Sequence, residues 1–210
     1  MAQLNQRLRS TLIDAYSPCQ EFGGMCHEMR WDPSAGHVPR GFCGASASLD
    51  DVRLVLVVAE PGNPHPTERH PSTPTEAIQS TYAYTLECFR TGTDLFHRNV
   101  RSILDLCWPD TSFDIQMTRT WITESVLCSA VTEGGAVRSA VAATCRGRYL
   151  DKQLALLPHA VVAALGSKAA KRMAGREFIA AAAAAPPGCN FRGARESWHA
   201  IASEVRRRVA

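Results

Sequence analysis

Arg53-Leu54-Val55-Leu56-Val57-Val58 carries five consecutive apolar residues, three of them valine. A half-buried strand alternates polar and apolar side chains, whereas an unbroken run of this length belongs to a strand covered on both faces, the habit of parallel sheets. The run feeds Ala59-Glu60-Pro61-Gly62-Asn63-Pro64-His65-Pro66, where three prolines exclude helix and central strand. Outward toward the C-terminus, residues 76–90 and 94–106 read as helices, 121–128 as a second strand and 136–157 as a long helix ended by Pro158. Residues 159–165 make a third strand, followed by Gly166 and a short helix to Met173; 178–184 make a fourth strand and 196–209 a terminal helix. Toward the N-terminus, Leu4, Leu8, Leu12 and Ile13 form one stripe of a helix over residues 4–16, stopped by Pro18. Strands alternating with helices predict an α/β fold with a parallel sheet and right-handed crossovers. Ligands of such sheets bind beyond the strands' carboxyl ends, here after Val58, Cys128, Leu165 and Ala184.

Length and composition set the outer limits. The chain of 210 residues, 45% hydrophobic and 20% charged, has the balance of an ordinary soluble domain, and 1–210 is read as one domain. No stretch approaches the roughly 20 apolar residues of a membrane span and the first ten residues carry no targeting pattern, so a cytoplasmic, monomeric protein is expected. The net charge of +3 is modest, but 20 of the 23 cations are arginine. Guanidinium forks suit phosphate; a compositional bias that also enriches alanine gives the same count. Eight cysteines are too many for an average cytosolic domain, and reducing conditions argue against disulfides.

Three constellations carry chemistry. Glu60 ends the first strand on a Pro-Gly turn, either as a catalytic carboxylate at the lip of the sheet or as a solvated strand end. Glu124, inside Trp121-Ile122-Thr123-Glu124-Ser125-Val126-Leu127-Cys128, faces a pocket if its strand is central and water if that strand is an edge, since a charge in a strand is otherwise unburiable. Cys19 and Cys26, with six residues between them, and Cys128 and Cys145, with sixteen, could offer four thiolates to one site. The first spacing exceeds the two to four residues usual for structural zinc. Cys88 and Cys107 suit apolar helix faces, and Cys43 is a substitute ligand. A metal would explain how the Gly-, Pro- and Cys-rich segment 17–50 is ordered.

Taken in order, these pieces resemble the uracil-DNA glycosylase superfamily, especially its iron–sulfur members, over nearly the whole chain. The strand with Ala59-Glu60-Pro61-Gly62 resembles the family's first catalytic motif, in which an acidic or amide residue positions the attacking water; Asn63 is a further candidate for that task. Leu95-Phe96-His97-Arg98-Asn99 resembles the stretch whose Phe stacks on the extruded base, although Phe96 also suits a helix-start core position. The segments ending in Cys128 and beginning with Cys145-Arg146-Gly147-Arg148-Tyr149-Leu150 resemble the cluster-cysteine segments, and Leu157-Pro158-His159 through Gly166 the following strand. The resemblance implies a three-layer α/β/α sandwich around a central four-stranded parallel sheet, and a [4Fe–4S] cluster on Cys19, Cys26, Cys128 and Cys145, with zinc as the other occupant.

Two departures shape the expected substrate. Where uracil-reading members carry Asn, this chain has Glu124, whose carboxylate accepts from the exocyclic amine of cytosine and, when protonated, donates to the ring nitrogen. Where the family commonly has His-Pro, this chain has Ala185-Pro186-Pro187-Gly188-Cys189-Asn190, with no imidazole and more room. Some bacterial members act on modified cytosines in phage DNA, and Glu124 with Ala185 favours such a substrate, for example glucosylated 5-hydroxymethylcytosine excised to an abasic site in anti-phage defence. Ala59, Pro61, Gly62, Ala185, Pro186 and Asn190 would line the base site, and Arg192 and Arg195 would meet DNA phosphates. A uracil-DNA glycosylase of base-excision repair, a non-catalytic DNA-binding module and a zinc-bound structural protein are the alternatives. His199 and Arg206-Arg207-Arg208 fall on the terminal helix as solvent-facing positions.

Overall fold

The Leu54–Val58 run is β2, and every side chain in it is buried. The cause is its place: in the computed structural model β2 lies between two parallel neighbours, β3 (Thr120–Glu124) and β4 (Val161–Leu165). Both edges are thereby hydrogen-bonded, and both faces lie within the apolar core that surrounds the sheet, which is why no polar alternation appears. β5 (Ile179–Ala181) adds parallel to β4. The structure describes residues 3–209; Met1, Ala2 and Ala210, the ends of the expected domain, lie outside the described residues.

The sheet corrects the expectation of four parallel strands. It has five, in the order β1-β3-β2-β4-β5, and β1 (Cys43–Gly44) runs antiparallel to β3, so the α/β sheet is mixed. Two residues are too short to show a period. Gly44 has φ +99° and abuts the Thr120 carbonyl, an approach any Cβ would block, and the buried Tyr82 hydroxyl donates to its carbonyl at 3.0 Å.

The helices are α1 (Gln6–Leu12), α2 (Pro74–Thr91), α3 (Leu95–Cys107), α4 (Phe113–Thr118), α5 (Ser139–Cys145), α6 (Asp151–Ala155), α7 (Ser167–Arg172) and α8 (Ala194–Val209). α4 has no expected counterpart, its six residues being less than two turns. Asp94 caps α3 by accepting from the His97 amide, and Gly92 ends α2 in the left-handed conformation. The expected helix over 136–157 runs without a break from Ser139 to Ala155, as α5, a π turn over Arg146–Leu150, and α6. The expected strand over 121–128 leaves the sheet after Glu124, yet Ser125 and Val126 still donate to the Val58 and Ala59 carbonyls, at 2.8 and 3.1 Å. That extension holds Glu124 beside Glu60.

α7 packs on β2 and β4, α8 on β4 and β5, and α3 on α8. One large apolar core surrounds the sheet; a smaller one, of Met29, Val126, Ala130, Val141 and Ala142, packs on Cys26, Cys128 and Cys145. Segment 17–50 is irregular apart from β1 and single turns of 3-10 helix, and backbone bonds from Arg30 to Ser129, Arg40 to Leu127 and Val131 to Glu28 tie it to the stretch after β3. Among the described residues no helix is long and apolar enough to cross a membrane.

Candidate active site and cysteine cavity

Beyond the carboxyl ends of β2 and β3 opens a cleft of about 540 Å³. Glu60 stands at the end of one strand and Glu124 on the last residue of the other, with Ala59, Pro61, Gly62, Asn63, Phe96, Ala185 and Pro186 also on the wall. Nine of the residues expected at the base site thus come together from four separate stretches of chain. Asn190, Arg192 and Arg195 do not line it. They follow the Ala185–Pro186 strap, with both arginines exposed and beside Phe191, a large apolar side chain 57% exposed.

The two carboxyls live in opposite surroundings. Glu60 Oε1 accepts from Lys168 Nζ at 2.8 Å, and Arg172 Nη1 lies 2.5 Å from Oε2, an ionic contact without hydrogen-bond alignment. Both cations come from one face of α7. Arg172 also donates to the Ala59 carbonyl and Ser125 Oγ, so the clamp fixes the backbone of both strand ends as well as the carboxylate. Glu124 is 5% exposed, and its Oε2 has no hydrogen-bond partner among the described residues. Burial pushes its carboxyl well above the usual range, Glu60 nearby adds to the rise, and Arg40 and Arg172 oppose it. Burial thus favours the protonated form of Glu124, while Glu60 beside it is held by two cations. Gly41 makes room for it: a Cβ there would collide with Glu124 Oε1, and its φ of +86° suits only glycine.

Several cleft residues had no sequence expectation. Arg40 is buried beneath the floor; its guanidinium donates to the Gly62 carbonyl and, at 3.4 Å, to that of Gly36, and stands 3.7 Å from Glu68. Glu68 in turn meets His70 Nε2 at 2.9 Å and accepts from the His65 amide at 3.1 Å. His97 lines the cleft beside Phe96, with Nδ1 2.9 Å from Asp94 Oδ1 and its ring edge-on to Phe89; burial lowers its pKa against the pull of Asp94. Asn99 Nδ2 donates to the Ala184 carbonyl at 2.8 Å and anchors the strap to α3. Asn63 is engaged at both N–H groups by Glu133. Lys168 and Arg172 were legible in principle, because β4 neighbours β2 in a parallel sheet and the helix leaving β4 must begin near the end of β2.

Cys19, Cys26, Cys128 and Cys145 line a second, small cavity with Phe22, Met29, Val126, Leu127 and Val141. All are free thiols. Burial raises the Cys128 thiol well above its ordinary value and Cys145 to about 12; in both, the other cysteines of the group add to the rise. An apolar wall penalises thiolates unless a metal supplies the compensating charge. The polar atoms that do reach in are donors aimed at sulfur: Arg148 Nη1 lies 3.7 Å from Cys19 Sγ, the Tyr149 hydroxyl bonds the same sulfur, and the Leu127 amide serves Cys145. Among the described residues no three Cys, His, Asp or Glu side chains converge as a single ion requires. Cys43, 0% exposed in β1, and Cys107, on α3, are not on this wall; Cys88 lines the cleft.

No protein-family model matches the chain, and no curated protein does either.

Proposed function

We propose that the chain is a DNA glycosylase that takes a modified cytosine out of the stack and hydrolyses its bond to deoxyribose. The observation that carries this is the pairing of Glu60, ion-paired to Lys168 and Arg172, with Glu124, buried and lacking a partner at Oε2, in one cleft. Breaking the C1′–N bond leaves positive charge on the sugar and negative charge on the base. Glu60 faces the first, stabilising the cation and orienting the water whose oxygen joins C1′. Glu124 faces the second: as a neutral acid it donates to the ring nitrogen of cytosine while its other oxygen accepts from the exocyclic amine. Uracil has a carbonyl in place of that amine and leaves an acceptor facing an acceptor. Phe96 offers the flipped base a ring, and the small Ala183–Ala185 wall leaves room for a substituent.

In the same reading Cys19, Cys26, Cys128 and Cys145 hold a [4Fe–4S] cluster. Bound there, it compensates the thiolates and cross-links segment 17–50 to the end of β3. A three-layer arrangement of helices around the sheet belongs to this proposal too, as do the exposed Arg192 and Arg195 as phosphate contacts.

The test is a panel of oligonucleotides bearing uracil, cytosine, 5-hydroxymethylcytosine and its glucosylated form, scored for alkali-labile abasic sites. Cleavage confined to a modified cytosine is expected. Equal cleavage of the uracil substrate would shift the assignment to a uracil-DNA glycosylase, and DNA binding without any cleavage to a non-catalytic module.

A further inference from the structure

At the mouth of the cleft, Asn63 presents two N–H donors side by side, and a carboxylate grips both. Glu133 Oε1 accepts from the Asn63 backbone amide at 3.0 Å and Oε2 from its Nδ2 at 3.0 Å. Everything beneath these donors is fixed. The preceding Gly62 carbonyl takes hydrogen bonds from buried Arg40 and from Ser129 Oγ, the latter at 2.9 Å, so the loop cannot turn its amides elsewhere. Gly62 also leaves open the approach: a Cβ there would stand 2.5 Å from Glu133 Oε1. Two convergent donors, a rigid floor and a missing Cβ describe a cradle for a two-oxygen anion.

Its present occupant is replaceable. Glu133 and Asn63 are both exposed. The turn that carries Glu133 is held independently, since Lys168 Nζ donates to the Gly134 and Gly135 carbonyls at 2.8 and 2.9 Å. The carboxylate can therefore swing out without unravelling its loop.

The geometry points to a phosphodiester site at Asn63 that Glu133 occupies in the free protein and surrenders to the strand that enters the cleft. The two non-bridging oxygens of a phosphodiester present the same bidentate face as a carboxylate. Glu133 thus raises the threshold for engaging DNA, and strand binding is coupled to freeing the Asn63 loop next to Glu60. This inference rests on the cleft being a DNA site.

Equilibrium binding of a labelled, unmodified oligonucleotide to the full chain tests it, with inorganic phosphate as competitor. Glu133→Ala should bind roughly five- to tenfold tighter than the native chain, with a steeper salt dependence by about one phosphate contact. Adding Asn63→Ala to Glu133→Ala should remove at least half of that gain, and millimolar inorganic phosphate should erode it. A gain untouched by Asn63→Ala would reduce Glu133 to one negative charge among others and overturn the site, as would an affinity unchanged by Glu133→Ala in a chain that binds DNA. Absence of DNA binding by every variant would overturn both this site and the glycosylase reading, so the two failures are distinguishable.

Discussion

Three residues separate Glu124 from Cys128, yet the two serve regions built on opposite principles. The cleft is polar: its buried charges are answered by other charges, Glu60 by Lys168 and Arg172, Glu68 by Arg40 and His70, while Glu124 Oε2 has neither a hydrogen bond nor an ion pair among the described residues. The cysteine cavity is apolar, and its four thiols face one another with few polar neighbours. A buried polar group without a partner costs stability, so such groups mark places where something else is bound. Under the proposed function the unanswered atom of the cleft awaits a transient ligand and the four cavity thiols a resident one.

The comparison breaks hardest at the cavity. Cys128→Ser should abolish iron and sulfide binding, and with it several kcal/mol of stability in segment 17–50, since binding energy of a resident metal is folding energy. Iron content and protease protection of that segment check this, and Cys107→Ser should leave both intact. A smaller but catalytic effect is expected at Glu60. Glu60→Gln should keep the fold and lower turnover by about 10²–10⁴-fold, the usual worth of a positioned acid or base, in a single-turnover assay on the substrate that the oligonucleotide panel identifies.

The smallest effect sharpens the contrast between the two carboxyls. Because burial raises the folded-state pKa of Glu124, the folded protein keeps a proton that the unfolded chain releases above about pH 4.3. Glu124 therefore costs nothing at low pH, and its penalty grows as pH rises through the unfolded value, by about 1.4 kcal/mol per unit until the folded group also ionises. Glu124→Gln cannot ionise, so its melting temperature relative to the native chain should climb with pH. A flat difference from pH 4 to 8 would mean that Glu124 is not neutral in the fold.

Much of this was legible in the sequence, for reasons that differ by region. β2 announces itself because a central strand needs apolar residues on both faces, and Glu124 because a carboxyl in such a strand has no ordinary place. The four cavity cysteines were grouped through the resemblance of their segments to cluster-cysteine segments, with Cys43 kept as a substitute ligand that the structure places in β1, off the cavity wall. β1 escaped because two residues have no period and its pairing depends on Gly44 fitting the Thr120 carbonyl. The partners that differentiate the carboxyls, Arg40, Glu133, Lys168 and Arg172, escaped because charges on loops and short helices look alike until the topology brings them to one strand end.

The π turn over Arg146–Leu150 has a mechanical meaning. It lies between Cys145, which faces the cavity, and Gln153, whose Oε1 accepts from both Trp121 Nε1 and Thr123 Oγ1 of β3, at 2.9 and 2.8 Å. A π turn is an α-helix with one residue too many, and each residue of a helix turns its successors by about 100°. The surplus residue acts as a phase shifter on a shaft, letting one continuous rod deliver sulfur to the cavity at one end and an amide to β3 at the other.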